Sequence, residues 1–127
     1  MKDQEGYLKK MSQLLEKNSQ YKFEAYSFLM SALNFTVKKL PKPRHVSGRE
    51  LLEGIRDYAH EQFGPMARTV LNHWGITKTE DFGRIVFALV EAGFLRKQPE
   101  DKLEDFVDIY DFEEVFDRGY RIDDSDF

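Results

Sequence analysis

The amino-acid sequence predicts a mainly α-helical protein with a helix–turn–helix at its centre. Apolar residues recur at intervals of three and four over most of the chain, which is the period of an amphipathic helix. Serine, threonine or aspartate precedes several of these segments, and glycine follows them, as at helix starts and stops. With 127 residues, of which 41% are hydrophobic, the chain has the size and composition of one ordinary domain.

Two helices are predicted in the N-terminal part of the chain. A short amphipathic helix covers roughly residues 4–17, and a second helix covers about residues 21–40. The second helix is apolar around much of its girth, which predicts that it is the most buried element. Pro41 and Pro43 then disfavour helix and favour an extended backbone.

A third helix is predicted after these prolines. Ser47 and Glu50 have the spacing of a capping box, in which each side chain bonds an unpaired backbone amide of the helix start. The apolar residues of this helix share one face: Leu51, Leu52, Ile55, Tyr58, Ala59 and Phe63. Gly64-Pro65 is predicted to end this helix and to begin the next, which stops at Gly75.

The helix after Gly75 has the most regular period in the chain. Thr77 and Glu80 form a second candidate capping box, with Thr79 as a competing N-cap, and Gly93 is the predicted stop. Its apolar face consists of Phe82, Ile85, Val86, Leu89 and Val90.

A small β-hairpin is predicted after this helix. Phe94–Lys97 and Phe106–Tyr110 are its candidate strands, with a turn at Gln98–Asp101. Asp111 and Glu114 then have the spacing of a cap for a last short helix. The predicted division of one domain, residues 1–127, is an N-terminal helical pair (1–40), a helix–turn–helix with hairpin and short C-terminal helix (44–117), and an acidic tail (118–127).

Two resemblances follow from this pattern. The order helix, helix, glycine turn, helix, hairpin over residues 47–110 resembles a winged helix, with residues 73–76 at the turn and residues 90–97 entering the first wing strand. Four segments, Arg44–Leu52, Gly64–Arg68, Thr79–Gly83 and Tyr110–Glu114, resemble a family of short, uncharacterised bacterial proteins, with similarity over roughly residues 21–117. This family resemblance implies a bacterial cytoplasmic protein and carries over no activity, ligand or functional residue.

Composition and the N-terminal segment bear on location and chemistry. The absence of cysteine excludes disulfides, thiolate metal sites and a cysteine nucleophile. The segment MKDQEGYLKK has no apolar stretch of the kind that a secretory signal needs. No apolar run approaches the ~20 residues that cross a bilayer, so we expect a cytoplasmic protein with no membrane partner.

No catalytic or cofactor-binding pattern stands out. Asp81-Phe82-Gly83 spells a kinase metal-binding tripeptide, but the other kinase motifs are missing, and Asp81 is better interpreted as an acid at a helix N-terminus. His45, His60 and His73 lack metal-pair spacing, and capping explains Ser47 without nucleophilic chemistry. We therefore predict a non-enzymatic protein without cofactor or metal. A pocket enzyme using carboxylates and a histidine is the alternative.

Charge is segregated along the chain. Residues 38–49 contain five basic residues and no acidic one, whereas residues 98–127 contain twelve acidic and three basic residues. The acidic part is interpreted as a solvated face, with a loose cation site as the alternative. The candidate binding surface comprises Lys38, Lys39, Lys42, Arg44, His45, Arg49, Arg68 and Arg84. Its alternative interpretation is a polar linker that two prolines keep open.

The functional prediction is a macromolecule-binding module with a protein partner. The helix after Gly75 presents Glu80 and Asp81 at its leading end, where a major-groove reader needs basic or amide side chains. Sequence-specific DNA recognition by that helix is therefore not expected. The alternative function is a nucleic-acid-associated protein that binds through the basic segment 38–49.

Overall fold

The computed structural model describes residues 2–118 of the chain and the side chains of residues 6–117. Within that part the fold is mainly helical, as predicted. The five α-helices are α1 (Lys2–Lys17), α2 (Phe23–Lys38), α3 (Gly48–Phe63), α4 (Ala67–His73) and α5 (Thr79–Glu91). The remaining regular elements are 3-10 turns at Gly64–Met66 and Leu103–Phe106 and a π-helical segment at Glu113–Arg118. None of the helices in this part has the length and apolar composition that crossing a membrane requires.

Helix α2 lies at the centre and packs against α3 and α5. Its residues Tyr26 and Leu29 are fully buried, but the prediction that it is the most buried element is wrong, because α5 buries more residues over a shorter length. Helix α3 packs closely against α2 at Gly54, where an added Cβ would overlap the hydroxyl oxygen of Thr36. That hydroxyl donates a hydrogen bond of 2.7 Å to the Ala32 carbonyl, so its burial leaves no polar atom unsatisfied.

The predicted capping box of α3 is confirmed. The Ser47 amide donates to Glu50 Oε1 at 3.0 Å, and the Glu50 amide donates to Ser47 Oγ at 3.1 Å. Gly64 ends the helix and Pro65 stands in the 3-10 turn that leads into α4, as predicted. The start and the end of α3 therefore follow from local sequence alone.

The predicted capping box of α5 is wrong, because Asp81 takes the role expected of Glu80. Asp81 Oδ2 accepts bonds from the amides of Thr77 (2.9 Å) and Lys78 (3.2 Å). Its other oxygen accepts a bond from the hydroxyl of Tyr21, so this buried carboxylate joins the α5 N-terminus to the start of α2. Burial, and secondly the bond to Asp81, raises the pKa of Tyr21. The interpretation of Asp81 as a helix N-terminal acid is confirmed.

The predicted β-hairpin is also wrong. Residues 2–118 contain no β-strand: Phe94–Lys97 has no regular secondary structure, and Phe106, expected in the returning strand, ends a 3-10 turn. The central helices occur in the expected order, but the hairpin that forms the wing of a winged helix is missing from residues 2–118.

Contacts of Phe106 explain why this segment does not pair as a hairpin. The ring packs over Gly48 of α3 and Gly83 of α5, where an added Cβ would lie 2.7 Å from Phe106 Cβ. The buried hydroxyl of Thr79 donates to the Phe106 carbonyl and accepts a bond of 3.2 Å from the Ile109 amide. Helix α5 thus satisfies backbone groups that a partner strand would otherwise bond.

One further contact joins distant parts of the chain, and another caps the C-terminal segment. The turn between α4 and α5 carries Gly75 at φ +95°, and the Lys22 amide donates to the Trp74 carbonyl there at 3.2 Å. After the 3-10 turn, the Glu114 amide donates to Asp111 Oδ2 at 3.0 Å, as predicted for a cap. The predicted acidic tail, residues 118–127, lies outside the described residues except for Arg118.

Candidate binding surfaces

The basic surface predicted from the sequence (Lys38, Lys39, Lys42, Arg44, His45, Arg49, Arg68 and Arg84) is largely exposed. Much of its charge is paired within the molecule. Arg44 contacts both carboxylate oxygens of Glu50, at 3.0 and 2.7 Å. This contact and, secondly, the hydrogen bond from the Ser47 amide lower the pKa of Glu50 to about 2. His45 Nε2 lies 2.9 Å from Asp101 Oδ2. The segment 38–49 is therefore tied at two points to acidic side chains.

Arg68 and Arg84 have their own acidic partners elsewhere. Arg68 pairs with Asp117 at 2.7 Å, and Arg84 pairs with Glu80 and lies 3.5 Å from Asp81. Across the described side chains, no ion pair or hydrogen bond joins Arg68 or Arg84 to the segment 38–49. These two arginines do not extend the basic segment by any contact in the structure.

The other four residues of the basic surface differ from one another. The Lys39 ammonium lies 4.2 Å from the centroid of the Phe35 ring, a cation–π contact. Lys38, Lys42 and Arg49 are exposed and have no ion pair among residues 6–117. Three cations thus remain for an external partner.

A cavity of about 200 Å³ lies between α2, α5 and the connection that follows α5. Its apolar walls include Leu33 and Val37 of α2 and Val86 and Phe87 of α5. Four charged residues and a histidine also line it, namely Arg44, Arg96, Lys97, Asp101 and His45. The sequence interpretation missed Arg96 and Lys97 because it placed them in a strand. The one signal was their position directly after the apolar pair Phe94-Leu95, which puts basic and apolar side chains next to each other.

A second surface, which the sequence interpretation missed altogether, surrounds Ser27 and Ser31 of α2. Two grooves, of about 210 and 380 Å³, share these two serines. We call their lining apart from Glu24 the uncharged face: Tyr7, Met11, Phe23, Ser27, Phe28, Met30, Ser31, Asn34, Tyr58, Gln62, Phe63 and Trp74. Glu24 is the one charged residue in the lining of either groove.

Packed aromatic rings support one side of the uncharged face. The ring centroid of Phe28 lies 5.4 Å from that of Tyr58, 5.6 Å from that of Phe63 and 5.7 Å from that of Trp74. Rings at such separations attract one another beyond their shared burial, so they hold their positions. The sequence offered one signal, serines four positions apart on an otherwise apolar helix, but the neighbouring aromatics were assigned to the core.

The described side chains do not gather into a metal-binding group. No cluster of three or more histidine, aspartate or glutamate residues suited to a metal ion is present in residues 6–117. The acidic stretch 101–111, for which a loose cation site was the alternative, forms none there. Ser47 Oγ accepts the Glu50 amide, as its capping role requires.

Comparison with known proteins adds no relative to this picture: no family model, no curated protein and no solved structure matches the chain. The resemblance to a bacterial family stays a prediction.

Proposed function

We propose that the protein is a non-enzymatic docking module of the bacterial cytoplasm, and that it binds a protein partner through the uncharged face. The observation that carries this proposal is the composition of that face. One third of the residues in the chain are charged (33%), yet two adjacent grooves are lined by side chains of which Glu24 alone carries charge.

This composition supports a protein–protein contact. The central parts of such interfaces are depleted in charged residues and enriched in tyrosine, tryptophan, phenylalanine and methionine. Phe23 and Tyr7, at 44% and 43% exposure, supply apolar area at the edges of the two grooves. The packed rings of Phe28, Phe63 and Trp74 are preorganised, which reduces the entropy that a partner's binding would cost.

The alternative function, nucleic-acid association through residues 38–49, has less support. Binding to a phosphate backbone grows with the number of phosphates that protein cations neutralise. Arg44 and His45 are engaged by Glu50 and Asp101, so a nucleic acid would have to displace these carboxylates. The expectation that α5 presents Asp81 is wrong, because this carboxylate is buried in the cap of α5. We regard the α4–turn–α5 unit as scaffold, because Glu80 remains at the leading end of α5 and occupies Arg84.

The test is site-directed photocrosslinking in native cells. A benzophenone amino acid in place of Asn34, which lines one groove, should give a discrete adduct with a protein partner. Ser31→Glu should abolish the adduct, since it places a charge in the middle of the uncharged face. Ser12→Glu is the matched control, because Ser12 is an exposed serine of α1 that lines neither groove.

Three results would contradict this proposal. The first is an equal adduct in the Ser31→Glu and wild-type proteins. The second is an equal adduct from a crosslinker in place of Glu104, which lies outside the uncharged face. The third is loss of the adduct on nuclease treatment, which would favour the nucleic-acid alternative. Ser31→Glu should change the free energy of unfolding by no more than about 0.5 kcal/mol, so that misfolding does not explain the loss.

A further inference from the structure

The cavity between α2 and α5 has apolar walls and cations in its lining. Leu33 and Val37 face it from α2, Val86 and Phe87 from α5, and its volume is about 200 Å³. Pockets for drug-sized ligands measure roughly 300–1,000 Å³, so this cavity suits a smaller molecule. A short alkyl chain would lose its contact with water there.

The charges in the lining differ in whether an internal partner already neutralises them. Asp101, the one acid in the lining, contacts His45 at 2.9 Å and accepts the Gln98 amide at 2.8 Å. Arg44 is held by Glu50.

Two cations in the lining lack a carboxylate partner. Lys97 donates to the carbonyls of Gln98 and Asp101, which leaves its charge without a carboxylate. Arg96 is exposed and has no ion pair within the described part of the chain. The lining therefore offers two cations that its own acid does not neutralise.

We infer that this cavity binds a small amphiphilic carboxylate, with the apolar body against Leu33, Val37, Val86 and Phe87 and the carboxylate at Arg96 and Lys97. An arginine offers a carboxylate two parallel hydrogen bonds, and a neighbouring ammonium adds a point charge. A neutral molecule of the same shape fills the cavity but leaves both cations without a new partner. This inference is independent of the uncharged face, which shares none of these residues.

The test is isothermal titration calorimetry of the full chain with octanoate, using 1-octanol as the neutral counterpart. Octanoate should bind about tenfold more tightly than octanol, because a hydrogen bond to a charged group contributes at least this factor. In a series from butanoate upward, affinity should rise about fourfold per methylene until the cavity is full and then stop rising. Amide chemical shifts should change around Val86 and Lys97.

Paired variants locate the two parts of the site. Arg96→Gln with Lys97→Gln should abolish the preference for octanoate and leave octanol binding unchanged. Lys9→Gln with Lys22→Gln removes two exposed charges that do not line the cavity. This control should change neither the preference for octanoate nor the binding of octanol. Val86→Phe fills the cavity and should weaken the binding of both octanoate and octanol. If this variant unfolds, the amide chemical-shift changes in the unaltered protein still locate the binding site.

Four results would overturn the inference. One is the absence of heat and of shift changes up to the solubility limit of each probe. Another is octanol binding as tightly as octanoate. A third is a preference for octanoate that persists without Arg96 and Lys97. The last is a set of shift changes centred on the uncharged face.

Discussion

The uncharged face and the basic surface both involve α2, the first along its N-terminal part and the second from its C-terminal end onward. They differ in how many of their side chains are free of internal partners and can contact another molecule. Acidic residues far away in the chain, Asp101 and Asp117, engage His45 and Arg68 of the basic surface. The grooves of the uncharged face contain one charge, that of Glu24, and no cation that internal carboxylates could neutralise. A run of charge in a sequence is therefore weaker evidence for a binding surface than a nearly uncharged face in a fold.

The largest expected effect tests the contact between α2, which both surfaces share, and α3. Gly54→Ala should lower the free energy of unfolding by about 1–3 kcal/mol, because its Cβ would overlap the Thr36 hydroxyl. Urea denaturation measures this change. Gly6→Ala is the matched control: nothing lies within 4 Å of its added Cβ, so it should be neutral or stabilise the protein by about 0.5–1 kcal/mol.

A rescue experiment sharpens the same point. Removing the hydroxyl and methyl groups of Thr36 as Thr36→Ala should recover part of the stability that Gly54→Ala loses. Equal stability of the Gly54→Ala and unaltered proteins would mean that α2 and α3 do not cross as closely as the structure shows.

The second effect tests internal pairing on the basic surface. Arg44→Gln should raise the pKa of Glu50 from about 2 toward the ordinary value of 4.5, because the bond from Arg44 is the main cause of its depression. The depressed pKa contributes stability above pH 4.5, and this contribution is lost as the pH falls from 4.5 to 2. Arg44→Gln should flatten that part of the pH profile.

Carboxyl-carbon NMR titration measures the Glu50 pKa directly. Arg49→Gln removes a neighbouring charge that has no acidic partner and should leave this pKa where it is. An equal rise of the Glu50 pKa in both variants would show that net charge, rather than the Arg44 contact, sets this pKa.

The smallest effect compares paired with unpaired cations. The variant Lys38→Gln, Lys42→Gln, Arg49→Gln should elute from heparin at a lower salt concentration than the variant Arg44→Gln, Arg68→Gln, Arg84→Gln. Both lose three positive charges, but only the first loses charges that lack an internal partner. Equal elution, or the reverse order, would mean that a polyanion readily displaces the internal carboxylates.

Local patterns were enough to predict the helices. The period of apolar residues, the Ser47–Glu50 box and the glycines at 75 and 93 identified elements that the structure contains. In each case the determining contacts lie within one or two helical turns, so a short window of sequence holds the information.

Distant contacts decided the features that the sequence did not predict. The segment from Phe94 to Tyr110 has strand-like composition, but Thr79 and Gly83 of α5 anchor it around Phe106 instead. For the basic surface, the sequence supplied the cations but not the acids that reach them in the fold, such as Asp101 for His45. The uncharged face escaped prediction because aromatic residues on a helix look alike whether they fill a core or line a groove.

The close approach at Gly83 has an evolutionary consequence. A side chain at this position and the ring of Phe106 exclude each other, so the two positions cannot vary independently while this fold is kept. The same holds for Gly54 and Thr36. Diverged relatives that share little else should retain a glycine opposite a large ring and a glycine opposite a small hydroxyl. These two pairings form a signature by which such relatives could be recognised.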